Sequence, residues 1–302
     1  MKGIEQILVK LPVDLQEGIR SMPKSVTAEI EEIRLKTEYP LYVFSGGREY
    51  EIIGSINKII DKNLINNIFN SILNHSAYAY QEELAKGFIT IEGGHRVGIC
   101  GRTIVENGKV KAIKDISSLN IRRSREIIGV SDKLMPYVID RDGRLLHTLI
   151  VSPPMCGKTT LLRDMIRNLS SYGLRIGVCD ERSEIAGTFQ GIARFDLGTR
   201  ADVLDACPKE EGMIMLIRAM SPDVIATDEI GKQADIYGIE TALCAGVSLL
   251  TTIHGKDYDD VLRSGIGKLS EAGVFQRYIF LSNRPKIGSV CCISDAQNRR
   301  IL

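Results

Sequence analysis

The sequence predicts an α/β protein: a mostly parallel sheet covered by helices on both faces, preceded by a smaller α+β domain. From Leu145 onward, short apolar runs alternate with amphipathic helical patterns, as in a sheet wound on both sides. Before Arg125 the segments are shorter and are broken by Pro23, Pro40, Gly46-Gly47, Gly93-Gly94 and Asn107-Gly108, which suits hairpins. The 302 residues are also about twice the ~150 of a typical domain. The expected organisation is an N-terminal domain over 1–125, a linker over 126–143 marked by Gly129, Pro136 and Gly143, and a second domain over 144–302.

In the first domain, the spacing of apolar residues predicts helices over Val26 to Arg34 and Leu64 to Asn74. Alternation predicts strands over Tyr39 to Phe44, Gly87 to Ile91 and Val97 to Val105. In the second domain the predicted strands are Leu145 to Val151, Arg175 to Cys179, Val224 to Thr227, Ser248 to Ile253 and Arg277 to Leu281. A C-terminal hairpin is expected around Val290 to Ile301, turning near Gln297-Asn298. Helices are predicted over Lys158 to Ser171, Met213 to Met220, Gln233 to Ala245 and Asp257 to Gly265.

Composition narrows the classes. With 44% hydrophobic and 25% charged residues the chain can bury an ordinary core, and 39 basic against 38 acidic residues give no global argument for nucleic acid or an anionic surface. The seven cysteines show neither CxxC pairs nor the density of a secreted disulfide scaffold, so a reducing cytosol is the economical reading. No apolar stretch approaches the ~18 residues of a membrane span, and Glu5, Lys10 and Asp14 interrupt any signal-peptide core. The expected location is cytoplasmic, at a membrane only through partners.

The chemistry begins at Ser152, Pro153, Pro154, Met155, Cys156, Gly157, Lys158, Thr159 and Thr160, between an apolar strand and a helix with Leu161, Leu162, Met165, Ile166 and Leu169 on one face. That is the context of a phosphate-binding P-loop, where amides at a helix N-terminus face phosphates and the helix dipole favours their charge. Gly157 permits close backbone approach, Lys158 reaches the β- and γ-phosphates of ATP, and Thr159 ligands Mg²⁺. Ser152 stands where the motif has its first glycine.

About 70 residues later, Val224 to Thr227 ends in Asp228-Glu229. This reads as a Walker B strand, with Asp228 in the Mg²⁺ shell and Glu229 polarising the attacking water. In a doubly wound sheet the carboxyl ends of the strands share one crevice, so Asp180, Glu181 and Glu184 can also approach the nucleotide. His254 ends its strand at the same edge, to sense the γ-phosphate or relay a change of shape. His75, His95 and His147 lack acidic companions and read as structural. Eight basic residues between Arg96 and Arg125 form a local excess, open to two readings. One is nucleic acid, although stacking aromatics are absent from the window; the other is an arginine supplied to a neighbouring subunit.

In this order the motifs resemble the RecA-like ATPases of type II and type IV secretion and pilus machines. The segments Gly93 to Arg102, Asp115 to Arg122, Asp180 to Gly187, Gly198 to Asp205, Cys207 to Met213 and Asp228 to Gly231 resemble one branch more closely, the stage III sporulation protein AA family. The resemblance implies a RecA-like P-loop NTPase domain, a hexamer, and membrane protein partners in a channel from mother cell to forespore. It also implies an acidic box at Asp180 to Glu184, a histidine box at His254, and Arg122 reaching bound nucleotide. The expected function is therefore a Mg²⁺-dependent ATP-hydrolysing motor. Two alternatives are a nucleic-acid-dependent ATPase and a nucleotide-holding assembly scaffold.

Overall fold

The computed structural model describes residues 2–52, 59–74 and 80–302, in two compact units, Met1–Arg125 and Glu126–Leu302. In the first unit, helices Lys2–Leu8, Val13–Arg20 and Lys62–Ile72 accompany strands β1 (Ile30–Lys36), β2 (Leu41–Ser45), β3 (Arg48–Ile52), β4 (Phe88–Ile91), β5 (His95–Glu106) and β6 (Lys109–Arg122). The strands form one sheet in the order β3-β2-β1-β6-β5-β4, and each pairing is antiparallel. One face buries Ile33, Leu35, Val43, Val97, Leu119 and Ile121 together with Ile65, Ile68 and Ile72 of the helix Lys62–Ile72. That helix starts where the Asp61 carboxylate accepts the Leu64 N–H at 2.6 Å, a side-chain N-cap.

The helix predicted over Val26 to Arg34 is instead mostly β1. Its register against β2 shifts between Ile30 and Glu32, a bulge that resets the alternation. Ile30 and Ile33, three apart, therefore both face the core, and a strand imitates helical spacing. β3 and β6 are further strands that periodicity missed. His75 lies outside the described residues.

The second unit contains β7 (Thr148–Ser152), β8 (Ile176–Asp180), β9 (Ala201–Asp205), β10 (Val224–Thr227), β11 (Ser248–His254), β12 (Arg277–Ser282) and β13 (Ser289–Asp295), in the order β13-β12-β7-β11-β10-β8-β9. All pairings are parallel except β12 with β13. Two apolar clusters sandwich the sheet. One is built on Leu162, Met165 and Ile166 of the helix Lys158–Ser171, the other on Met213, Ile239 and Phe275. β9 is an additional edge strand, and β13 pairs mainly with β12, while the turn expected near Gln297-Asn298 returns the chain as a bridge from Arg300 to Ser294.

The segment 126–143 is a correction to the expected linker. Leu134, Met135 and Val138 are buried in the second unit's core, and the Asp164 carboxylate accepts N–H groups of Gly129 (3.0 Å) and Ser131 (2.7 Å). A buried carboxylate satisfied by loop amides fixes that segment to its domain.

Candidate functional site

β7 ends at Ser152, and the chain turns through Pro153, Pro154, Met155, Cys156 and Gly157 into the helix Lys158–Ser171. Left-handed backbone falls at Met155 (φ 59°) and Gly157 (φ 86°), whereas Ser152 is an ordinary strand residue. A side chain at Gly157 would also meet the β12–β13 turn, because its Cβ would lie 3.3 Å from Gly288 Cα. Ser152 is fully buried, and its hydroxyl donates to the Pro153 carbonyl at 2.8 Å. Thr159 and Thr160 are half-buried in the helix's first turn.

The Lys158 ammonium folds back over the loop. It donates to the carbonyls of Ser152 (3.0 Å) and Pro153 (3.2 Å) and to His254 Nδ1 (2.9 Å). Burial pushes its pKa down, against the pull of Glu229. The sheet order explains the contact with His254: β11 lies between β7 and β10, with His254 paired to Ser152. Because an ammonium can only donate, Nδ1 is the acceptor and Nε2 carries the ring proton. His254 Nε2 then donates to Glu229 Oε1 at 2.8 Å, and Glu229 Oε2 lies 3.3 Å from the Arg182 guanidinium. Glu229 has φ 40°, unusual for a residue with a side chain, and its N–H donates to Thr252 Oγ1 at 2.9 Å.

Asp228 is 2% exposed, and among the described residues its Oδ1 has no hydrogen-bond partner; Lys209 Nζ lies 3.7 Å away. Burial pushes the Asp228 pKa up to about 7, with Lys209 opposing and Asp180, Glu184 and Glu229 adding. An orphaned, buried carboxylate oxygen is the hard oxygen donor that a divalent cation takes.

The residues Asp180 to Glu184 divide. Asp180 is fully buried, and its oxygens accept the N–H groups of Glu184 (2.9 Å), Ile185 (3.0 Å) and Ala186 (2.8 Å). It faces its own loop. Burial still pushes its pKa up to about 6, because the three amides offset only part of the desolvation. Glu181 meets Lys209 Nζ at 2.6 Å, and Glu184 gives its carbonyl to the Arg163 guanidinium at 2.7 Å. Burial acts to raise the Glu181 pKa, yet the Lys209 hydrogen bond and the charges of Lys209, Lys232 and Arg182 hold it below the usual range.

Sequence reasoning missed Lys209 and Arg163. Lys209 is 5% exposed and spans Glu181 and Asp228. A lysine at a helix start ordinarily points to water, so no local signal marks this one. Arg163 stacks on Phe195, 3.8 Å from the ring centroid, and donates to Ile185 and Glu184 carbonyls.

In the first unit the basic window proves to be several structures. Arg122 lies on β6 with Nε 3.3 Å from Glu32, Arg123 donates to the Ala28 carbonyl, and Arg125 binds Glu29 and the Ile30 carbonyl. Arg96 stacks at 3.6 Å on Phe88 of β4, an aromatic from outside the window. His95 and His147 accept backbone N–H groups from Ser124 and Leu249.

Residues 4–301 match the family described as "Sporulation stage III, protein AA". The chain is 42% identical over 299 residues to Stage III sporulation protein AA of Bacillus subtilis (strain 168), covering 97% of this chain and 95% of that protein. In fold it is similar to the pilus retraction motor PilT solved with bound ADP, at TM-score 0.57 and 17% identity, covering 88% of this chain and 78% of that one. It is likewise similar to the Legionella pneumophila ATPase DotB, at TM-score 0.55 and 16% identity, covering 83% of this chain and 72% of that one. At such identities the likeness is one of fold, the RecA-like fold.

Proposed function

The chain belongs to the sporulation stage III protein AA family, and from that premise we propose that it is an ATP-hydrolysing, secretion-type motor that powers or assembles a channel from mother cell to forespore. The observation that carries the reading is the chain of contacts from Lys158 through His254 to Glu229, which ties a phosphate-loop lysine to a carboxylate after the parallel strand two places along the sheet.

Each residue has a role in that reading. Amides of the loop Ser152 to Thr160 bind phosphate, and Gly157 lets the backbone approach it. Lys158 exchanges its loop carbonyls for the β- and γ-phosphates, which releases His254 Nδ1 and frees the imidazole to move. Glu229 orients the attacking water and accepts its proton. Thr159 and Asp228 would hold Mg²⁺, which when bound neutralises charge developing on the phosphates. Asp180 is a positioning residue that sets the 181–187 loop, so that Glu181 and Lys209 flank Asp228. Arg122 would complete the site of a neighbouring subunit in a hexamer, and membrane protein components of the channel would dock the assembly.

The test is ATP hydrolysis by the purified chain against protein concentration, with mass measured in parallel. Turnover that rises with assembly, is lost in Glu229→Gln with ATP binding kept, and is lost together with binding in Lys158→Ala supports the reading. ATP binding that survives Lys158→Ala overturns it.

A further inference from the structure

The contacts that join Lys158, His254 and Glu229 continue one residue further, to Arg182. Lys158 follows β7, His254 ends β11, Glu229 follows β10 and Arg182 follows β8, which are four successive strands of the sheet, and each side chain touches the next. The series runs along the carboxyl edge, where doubly wound sheets bind their ligands. Both oxygens of the Glu229 carboxylate are engaged in it, Oε1 by His254 at 2.8 Å and Oε2 by Arg182 at 3.3 Å. A carboxylate that orients water and takes its proton needs an oxygen free to accept, so one of these contacts has to give way. The Arg182 contact is the weaker one.

The Arg182 side chain is 48% exposed, its hydrogen bond to Glu229 is single and long, and an ion pair so open to water contributes little to stability. The loop that carries it is held firmly. Asp180 accepts the amides of Glu184, Ile185 and Ala186, and Glu181 meets Lys209 at 2.6 Å. Ser183 lies in left-handed backbone (φ 54°) and donates its hydroxyl to Asp205 at 2.7 Å. Backbone of that kind costs energy in a residue with a side chain and persists where the surroundings impose it. Glu181 has its ion pairs with Lys209 and Lys232, and among the described residues Glu229 is the one ion-pair partner of Arg182. A pinned loop thus presents one loosely held guanidinium beside the carboxylate.

We propose that Arg182 is a specificity-determining residue that reads the γ-phosphate of its own subunit's nucleotide. In the arrangement described it covers Glu229 Oε2. The water that Glu229 orients attacks the γ-phosphorus, so this phosphate is the anion that comes nearest the carboxylate, and its oxygens match a planar guanidinium better than one carboxylate oxygen at 3.3 Å does. On ATP binding Arg182 moves to the γ-phosphate and uncovers the oxygen that accepts the water's proton. ADP has no such phosphate and leaves Glu229 covered. An arginine acting in cis on the transferred phosphoryl group also stabilises the charge of the transition state. The inference rests on the ATPase reading and deepens it, and it is independent of the role given to Arg122 between subunits.

The test measures equilibrium binding of ADP and of the non-hydrolysable analogue adenylyl imidodiphosphate, each with Mg²⁺, to the full-length chain, to Arg182→Ala and to Arg182→Lys. Arg182→Ala should weaken the analogue by about tenfold and change ADP by less than about twofold, since only the contact to the third phosphate is lost. Arg182→Lys keeps the charge and should recover part of that loss. Turnover of ATP by Arg182→Ala should fall by about 10² or more. Circular dichroism and the urea midpoint should match those of the unaltered chain, because the side chain is exposed. Equal weakening of both nucleotides, or of neither, overturns the proposal and leaves the ATPase reading in place. So does faster turnover with unchanged affinities, which would make Arg182 only a cover for Glu229. An unaltered chain that binds neither nucleotide overturns both.

Discussion

Lys158 and His254, on the first turn of a helix and the last residue of a strand, share a 2.9 Å Nζ–Nδ1 hydrogen bond in which the lysine must donate. The pairing fixes the imidazole tautomer and presents Nε2–H to Glu229 at 2.8 Å. A ligand that draws the ammonium away necessarily removes one of the two contacts that orient this ring.

Removing the ring should therefore cost turnover more than binding. His254→Ala is expected to lower kcat by about 10² or more while ATP affinity changes by less than about tenfold. Parallel measurement of kcat and of nucleotide binding checks it. An equal loss in both would mean that His254 only supports the loop.

Ser152 should be a permissive substitute for glycine. It is a strand residue without positive φ, and the lysine contacts its carbonyl more closely (3.0 Å) than its hydroxyl (3.4 Å). Ser152→Gly is expected to change ATP affinity by less than about tenfold, ~1.4 kcal/mol, in a binding titration. A larger gain would reveal strain at this position.

Lys209 holds Glu181 and Asp228 together in a buried place. Its replacement by methionine removes the cation 3.7 Å from buried Asp228 and leaves Glu181 with only the more distant charges of Lys232 and Arg182. Lys209→Met should destabilise the protein by about 3–5 kcal/mol, read from urea unfolding. Lys209→Met combined with Glu181→Gln should recover part of that loss.

His95 gives a pH signature. It is 1% exposed, and burial, reinforced by the Arg123 charge, pushes its pKa down to about 4 from 6.5. The unfolded chain binds this proton near pH 6.5 and the folded chain only near pH 4, so the stability from this residue is complete above 6.5 and lost as pH falls between those values. The difference corresponds to about 3 kcal/mol. In His95→Asn, whose amide oxygen can accept the Ser124 N–H, urea midpoints followed by circular dichroism should depend less on pH across that window. An unchanged slope would assign the acid sensitivity to other groups.

Some of this protein was legible without coordinates because it is local. A strand, a glycine-bearing turn and a helix are contiguous at Ser152 to Ser171, and a run such as Val224 to Thr227 announces a buried parallel strand by being apolar throughout. Amphipathic periodicity was enough for the helix at Leu64, but it failed at Ile30, where a bulge gives a strand the three-residue spacing of a helix. Only the tertiary structure decided what depends on strand order and burial. Placing β11 between β7 and β10 sets His254 between Lys158 and Glu229, residues 71 apart in the chain. The same folding turns Asp180 onto its own loop and buries Lys209 beside Asp228, because a side chain's partners are fixed by which segments the sheet brings together, and no local pattern encodes that.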